Sequence, residues 1–421
     1  MPKYKIAAII FFIILFTGLF TSHKYRVSTR KYGDFNCFYL TGQRMLAHQD
    51  IYVLRDQETA EFRYTPVVAL LMSGMALLNQ SAADTVWFSM NFILCILMFV
   101  LLKRMLVREV AWSSRRTFLL YVLVLLGTFR FILHNLDSGQ SNILMLSSMI
   151  AGLYYVSKKR ELLGAAFFAF SIMIKYTPII FLPYFILKRK FKVTGAIICF
   201  MVVYFLLPGV FIGMKSNLQY VKDWAPFLTQ STILDETTIL DSRNQSLLSL
   251  CQRSFTLGCK KYWVDSPVMP FGSFNLNPAQ IKLIFIFLAV ILYGLSVLKY
   301  YKNPEKKDAV FCDLVDYGLL SICVVLFNLN AWKPTFIFLL FPYMVICYHL
   351  IKTGFKEKSL IFLLVSSYLL NISTMYSIFG KAFTNKLYFY SPLTLSALLV
   401  FIALVRIKFV QYRENHNLYK R

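Results

Sequence analysis

Only 15% of this chain is charged, and the side chains able to do chemistry gather at a few short polar stretches. The first, "KYGDFNCFYLTGQRML", carries a lone carboxylate, Asp34. The second, "HNLDSGQSN", brings the amides Gln140 and Asn142. The third is "KYTP", with Lys175 inside an apolar region; the fourth is "DSRNQSLLSL", with Arg243, Asn244 and Gln245; the fifth is "NLNAWKPTF", with Lys333. Arg63 and Tyr64 lie further along the segment that Asp34 opens. One carboxylate among several cations suits an acceptor hydroxyl attacking a phosphate-linked carbon. The carboxylate takes the hydroxyl proton, and the cations hold the departing phosphate. An ordinary aspartate is a weak base, so the proton would move late, in the transition state.

Each residue also has a plainer reading. Asp is a favoured N-cap, and Phe35, Phe38, Tyr39, Gly42, Met45 and Leu46 follow Asp34 at the spacing of one apolar helix face. A cap and a base are compatible roles. Ser138-Gly139 marks an ordinary turn, but Gln140 and Asn142 then enter an apolar run, where an amide is costly unless it faces other helices. Lys175 either snorkels to the surface or meets an anion. Asn244-Gln245-Ser246 also fits a glycosylation sequon, a three-residue pattern of low specificity. Trp332 is a normal belt residue, and Lys333 is its companion or an anion ligand.

The elements that position these residues belong to a membrane protein. The chain is 58% hydrophobic with 40 Phe and 26 Tyr, and long apolar runs recur throughout its 421 residues. The fold expected is all-α and polytopic. Spans are expected near 6–21, 84–102, 117–133, 141–157, 161–187 (a pair), 193–212, 279–298, 309–327, 334–351, 359–377 and 390–407. The first run, Ile6 to Phe20, has no small-x-small cleavage site after it and reads as a retained span. Basic clusters flank 161–187 at both ends, so two short helices meeting at Lys175–Pro178 keep both clusters inside. The segment from Tyr64 is read as a non-crossing helix in the outer leaflet.

That topology has about twelve passes, both termini cytosolic, and two long outer loops at 22–83 and 213–278 with amphipathic helices. It forms one membrane domain, 1–421, ending in a basic tail at 408–421. All five polar stretches then fall on the outer side and suggest one cavity. The net charge of +25 reflects cytosolic Lys and Arg, with no nucleic-acid motif around them. Cys95, Cys199, Cys312, Cys323 and Cys347 read as packing residues, while a Cys251–Cys259 pair is an open possibility. No CxxC or His/Cys cluster and no DxD pattern calls for a metal, and no cofactor is expected.

Taken in order, these stretches resemble glycosyltransferase family 87, the polyprenol-phosphate-mannose-dependent mannosyltransferases. "DFNCFYLTGQRMLAHQDIY" is similar to that family's "DFxxFYxAGxxxLxGxxxY", and "FRYTPVVALL" to its "FxYPPxxALL". "GQSNILMLSSMIAGLYY", "LLGAAFFAFSIMIKYTPIIFLPYFIL", "NQSLLSL" and "NAWKPTFIFLLFPY" follow in the same order. The resemblance implies a GT-C-type bundle that moves a sugar, mannose in the named members, from a polyprenyl-phosphate donor to a glycan or glycolipid acceptor. Transfer would occur on the outer face of the cell (inner) membrane, with inversion. It implies Asp34 as general base, and Gln140, Asn142, Lys175, Asn244 and Gln245 as recurrent polar positions. The chain departs from the family where a histidine often follows the tryptophan: Pro334 or Lys333 occupies its place, and if that histidine contacts the donor phosphate, Lys333 could stand in as a cation but not as a neutral donor or acid. Rival readings are a transporter or flippase of lipid-linked saccharides, with charges spread through the bundle, and a polymerase or ligase of lipid-linked glycans.

Overall fold

A computed structural model describes residues 3–30, 33–53, 61–107, 112–229, 241–256, 276–298 and 306–418. Among these residues the secondary structure is helical, with no strand. Six segments are long and apolar enough to cross a membrane: Gln80–Leu106, Ser114–Ser138, Phe191–Ile212, Pro278–Val297, Lys333–Lys352 and Pro392–Val410. Shorter apolar helices include Pro66–Ala76, Asn142–Ser157, Glu161–Ile174 and Lys358–Ser373. The protein is therefore an all-α polytopic membrane protein, and each expected span coincides with a helix. Parts of both long loops lie outside the described residues. So does Cys259, and with it the Cys251–Cys259 pairing; Cys251 itself is buried beside Leu248 and Ile281.

The chain divides into two compact units. The first comprises residues 1–98, 132–176 and 195–229. In it, the Asp34–Leu46 helix buries Phe35, Phe38, Tyr39, Gly42 and Met45 as the stripe predicts, while Leu46 is turned outward at 46% exposure. Gly42 lets this helix touch Pro66–Ala76 closely: a Cβ there would stand 2.3 Å from the Met72 carbonyl oxygen. The Asn142–Ser157 and Glu161–Ile174 helices form a tight hairpin, and a Cβ on Gly152 would meet the Gly164 carbonyl at 2.9 Å. The break expected in 161–187 is present. The helix stops at Ile174, Lys175 is extended (φ −145°, ψ 134°), and a 3-10 turn at Thr177–Ile180 follows. Pro178 cannot donate to a continuing helix, which fixes the interruption.

The second unit comprises residues 99–131, 177–194 and 230–421. Its centre is the segment from Pro334 to Ile351, buried along its whole length. Pro278–Val297 is mostly exposed apolar surface, as lipid-facing helices are. Asn277 starts that helix with a capping box to Gln280, and Pro278 takes the first helical position. Phe191–Ile212, which belongs partly to each unit, also presents exposed apolar residues such as Val202 and Val210. Cys199 on it is exposed, unlike the packing role expected, because it lies on the outward face of a peripheral helix.

Candidate active site

The first unit assembles Asp34, Tyr64, Gln140, Asn142 and Lys175. Asp34 is the first residue of its helix, not the cap. The cap is Gly33, in a backbone conformation (φ 56°) that side chains disfavour, and no side chain caps the helix. The N-cap reading of Asp34 is thus corrected. One residue further on, its carboxylate projects from the first turn and accepts a hydrogen bond from the Gln140 amide. The helix N-terminus favours a negative charge there.

The Gln140 side is equally constrained. Gly139 has φ 66°, and a Cβ there would lie 2.6 Å from Phe35 Cβ, so the turn packs directly on the residue next to Asp34. Trp87 Nε1 donates to the Gly139 carbonyl at 2.9 Å. Gln140 N donates to the Asn135 carbonyl at 3.0 Å. Glycine, tryptophan and phenylalanine together set where the amide points.

Lys175 is held from the other side of the turn. Its Nζ donates to Asn142 Oδ1 at 2.8 Å, and Asn142 Nδ2 donates to Asn135 Oδ1 at 3.0 Å. Asn142 is buried, so its amide has one orientation. The Lys175 ammonium also lies 5.7 Å from the centre of the Tyr64 ring. Thr65 Oγ1 donates to the Met173 carbonyl at 2.5 Å, which ties the "FRYTP" segment to the end of the helix before Lys175. Ser141 Oγ donates to Tyr64 Oη at 3.2 Å.

Electrostatically this is a carboxylate kept basic. Burial pushes the Asp34 carboxyl above its usual range, and the Lys175 charge partly opposes that. Among the described residues Asp34 forms no salt bridge, so the lysine acts at a distance instead of neutralising it. Burial also keeps the Tyr64 phenol protonated and able to donate. A raised carboxyl is a stronger base than the ordinary aspartate expected from sequence. Arg63 does not join the cluster through its side chain: its guanidinium is half exposed and pairs with Glu61 at 3.1 Å.

The other expected residues lie in the second unit. Arg243 is clamped to Asp241, Nη2 to Oδ2 at 2.6 Å and Nε to Oδ2 at 2.9 Å, and stands 4.8 Å over Trp332. Asn244 and Gln245 are fully buried. Asn244 Nδ2 donates to the Leu329 carbonyl at 2.9 Å, and its Oδ1 accepts from Ala331 N at 3.2 Å. Gln245 N donates to the Ala331 carbonyl at 2.8 Å, and Gln245 Nε2 to the Tyr388 carbonyl at 2.9 Å. These amides brace the segment that presents Lys333. The Lys333 ammonium sits 5.1 Å from the Tyr376 ring centre and 5.5 Å from that of Tyr388.

Two residues escaped the reading of the sequence. Arg253 is 1% exposed and donates to the Asp241 and Asn244 carbonyls, at 3.1 and 3.0 Å, and to Ser391. Arg130 donates to the Asn371 and Thr374 carbonyls at 2.6 and 2.5 Å and to Tyr388 Oη at 2.9 Å. An arginine inside an apolar span was signal enough to single out Arg130. No group of three or more His, Cys, Asp or Glu suited to a metal occurs among the described residues.

In comparison with known proteins, residues 62–325, more than half of the chain, match glycosyltransferase family 87. No curated protein matches the chain.

Proposed function

Because this membrane protein belongs to glycosyltransferase family 87, and so is a membrane glycosyltransferase, we propose that Asp34 is its general base and that the sugar comes from a polyprenyl-phosphate carrier. The observation that carries this is the half-buried Asp34 carboxylate, oriented by Gln140 and without a salt bridge among the described residues, with Lys175 fixed nearby by Asn142. A structural aspartate in this setting would be neutralised by a cation in direct contact.

The acceptor hydroxyl loses its proton to Asp34 as its oxygen attacks the anomeric carbon. The bond from that carbon to the phosphate oxygen breaks on the opposite face, which inverts the centre. The electron pair leaves with the phosphate, so a phosphodiester monoanion becomes a phosphate monoester with one more negative charge. Cations that meet this new charge stabilise the transition state more than the ground state. Lys175 is the cation of the first unit suited to it. Lys333 is the second unit's cation assigned to donor phosphate binding; Arg243 and Arg63, expected there from sequence, are engaged by Asp241 and Glu61. Tyr64, Gln140 and Asn142 hold the sugar and the two charged groups in place, and Asn244 and Gln245 position Lys333. Fixed cations can supply this charge stabilisation in the protein's own right.

In this reading the sugar is mannose, the acceptor is a glycan or glycolipid, and transfer takes place at the outer face of the cell membrane. Membrane lipid surrounds the bundle, and nucleic acid has no part. The order of motifs set out above supports the donor class.

The test is sugar transfer by the full-length protein in reconstituted membranes, offered a panel of polyprenyl-phosphate sugars, with Asp34→Asn alongside. Consumption of one donor by the wild type and its loss in a normally expressed variant supports the reading. Equal turnover by both proteins would remove Asp34 from the chemistry. Binding without turnover of any donor would return the molecule to lipid-linked saccharide transport.

A further inference from the structure

Lys333 and Arg130 share one aromatic neighbour, Tyr388. Arg130 Nη2 donates to its hydroxyl at 2.9 Å, and the Lys333 ammonium stands 5.5 Å from its ring centre. Among the described residues, neither cation forms an ion pair. Arg130 is met by backbone carbonyls at the end of the Lys358–Ser373 helix, which carry a partial charge of about half an electron. Lys333 is met by the faces of Tyr376 and Tyr388. Ring faces stabilise a cation, but they leave the three N–H donors of an ammonium to be met by something else.

This arrangement is costly without a partner. Two like charges near one buried ring repel, and no carboxylate among the described residues pairs with either. Asp241, the acid of the neighbouring polar segment, is already engaged in several hydrogen bonds with Arg243. What fits is an anion with several oxygens and more than one charge. A phosphate monoester answers both demands, since it carries nearly two charges at neutral pH and three acceptor oxygens. A phosphodiester carries one charge.

We propose that Arg130, Lys333, Tyr376 and Tyr388 form a binding site for a terminal phosphate monoester, and that the enzyme thereby holds its own leaving group more tightly than the donor it came from. The first half stands on the geometry of the second unit. The second half rests on the donor class proposed above. Arg130 is fixed by carbonyls and supplies charge; Lys333, the less constrained of the two, supplies the hydrogen bonds.

The experiment is calorimetric titration of the full-length protein in nanodiscs with three probes: farnesyl monophosphate, its methyl diester and inorganic phosphate. At pH 7 the monoester should bind roughly 10-fold tighter than the diester. The advantage should shrink below pH 6, where the monoester loses its second charge. Lys333→Gln should lower monoester affinity roughly 10-fold and leave the diester less affected, and Lys333→Arg should restore it. Arg130→Lys keeps the charge where Arg130→Gln fails to fold. Equal affinity for monoester and diester, or indifference to Lys333→Gln, would overturn the site. Inorganic phosphate binding as tightly as farnesyl monophosphate would overturn the leaving-group role. If no prenyl-phosphate sugar is turned over while the monoester preference and its Lys333 dependence hold, the donor reading fails and the phosphate site stands.

Discussion

Two groups of acids in this molecule are treated in opposite ways. Asp34 in the first unit is met by an amide, and its nearest influential cation acts without contact. Asp316 in the second unit is 2% exposed and is met by Lys408 at 2.7 Å and Lys188 at 2.9 Å, with the Tyr184 hydroxyl at 3.3 Å. Asp313 beside it receives Lys188 and Lys190, each at 3.3 Å. Lys408 further donates to the Leu295 and Ser296 carbonyls. The network fastens several helices, and its three lysines neutralise both carboxylates. The difference separates a carboxylate with no cation in contact among the described residues from carboxylates that hold helices together.

Substitution breaks the comparison most sharply. Asp34→Asn should keep the fold, since asparagine accepts the same amide, and should lower sugar transfer about 1,000-fold, a typical general-base contribution. Transfer rates in proteoliposomes, normalised to folded protein, measure this. Lys175→Gln should cost about 100-fold in kcat/KM by removing charge that the leaving phosphate needs. Asp316→Asn should do the reverse of Asp34→Asn. It removes the carboxylate charge that Lys188 and Lys408 share and should lower unfolding stability by about 3 kcal/mol. Transfer per folded molecule should stay near that of the wild type, as thermal unfolding and activity on one preparation would reveal.

Smaller effects sharpen it. Gly139→Ala would force a Cβ into Phe35 and into a positive φ, moving Gln140 and Asp34 apart. A loss of roughly 10-fold in kcat is expected from such a misplacement. Gly74→Ala, where open space surrounds the added carbon, is its control. The pH profile gives the smallest effect and a signed one. Burial raises the Asp34 carboxyl, so the active, deprotonated base is lost on acidification at a higher pH than for an ordinary aspartate, near 4. The Lys175 charge lowers it, so in Lys175→Gln the acid limb of kcat/KM should move further up. A limb that stays put would mean that Lys175 does not act on Asp34.

Much of the architecture is legible in the order of residues alone. Hydropathy locates the helices because each apolar run has to bury its backbone in its own hydrogen bonds. The break at Lys175–Pro178 is legible because proline cannot continue a helix. The stripe from Phe35 to Met45 is legible from periodicity, and Asp34, Gln140, Asn142 and Lys175 stand out as polar residues in an apolar text.

Their chemistry is not legible in the same way. Whether Asp34 caps a helix or faces Gln140 turns on one residue of register, set by Gly33 and by the contact of Gly139 with Phe35. Arg130 and Lys333 lie some two hundred positions apart, and only the shared ring of Tyr388 makes them neighbours. Arg63 and Arg243 look like Lys175 in sequence, yet local acids, Glu61 and Asp241, claim both of them. Composition and period thus determined that the chain is a helical membrane protein, because the cost of an unpaired backbone in lipid leaves few alternatives. Which acids are neutralised and which stay free was decided by tertiary structure, because that depends on contacts of a few ångströms between residues the sequence holds far apart.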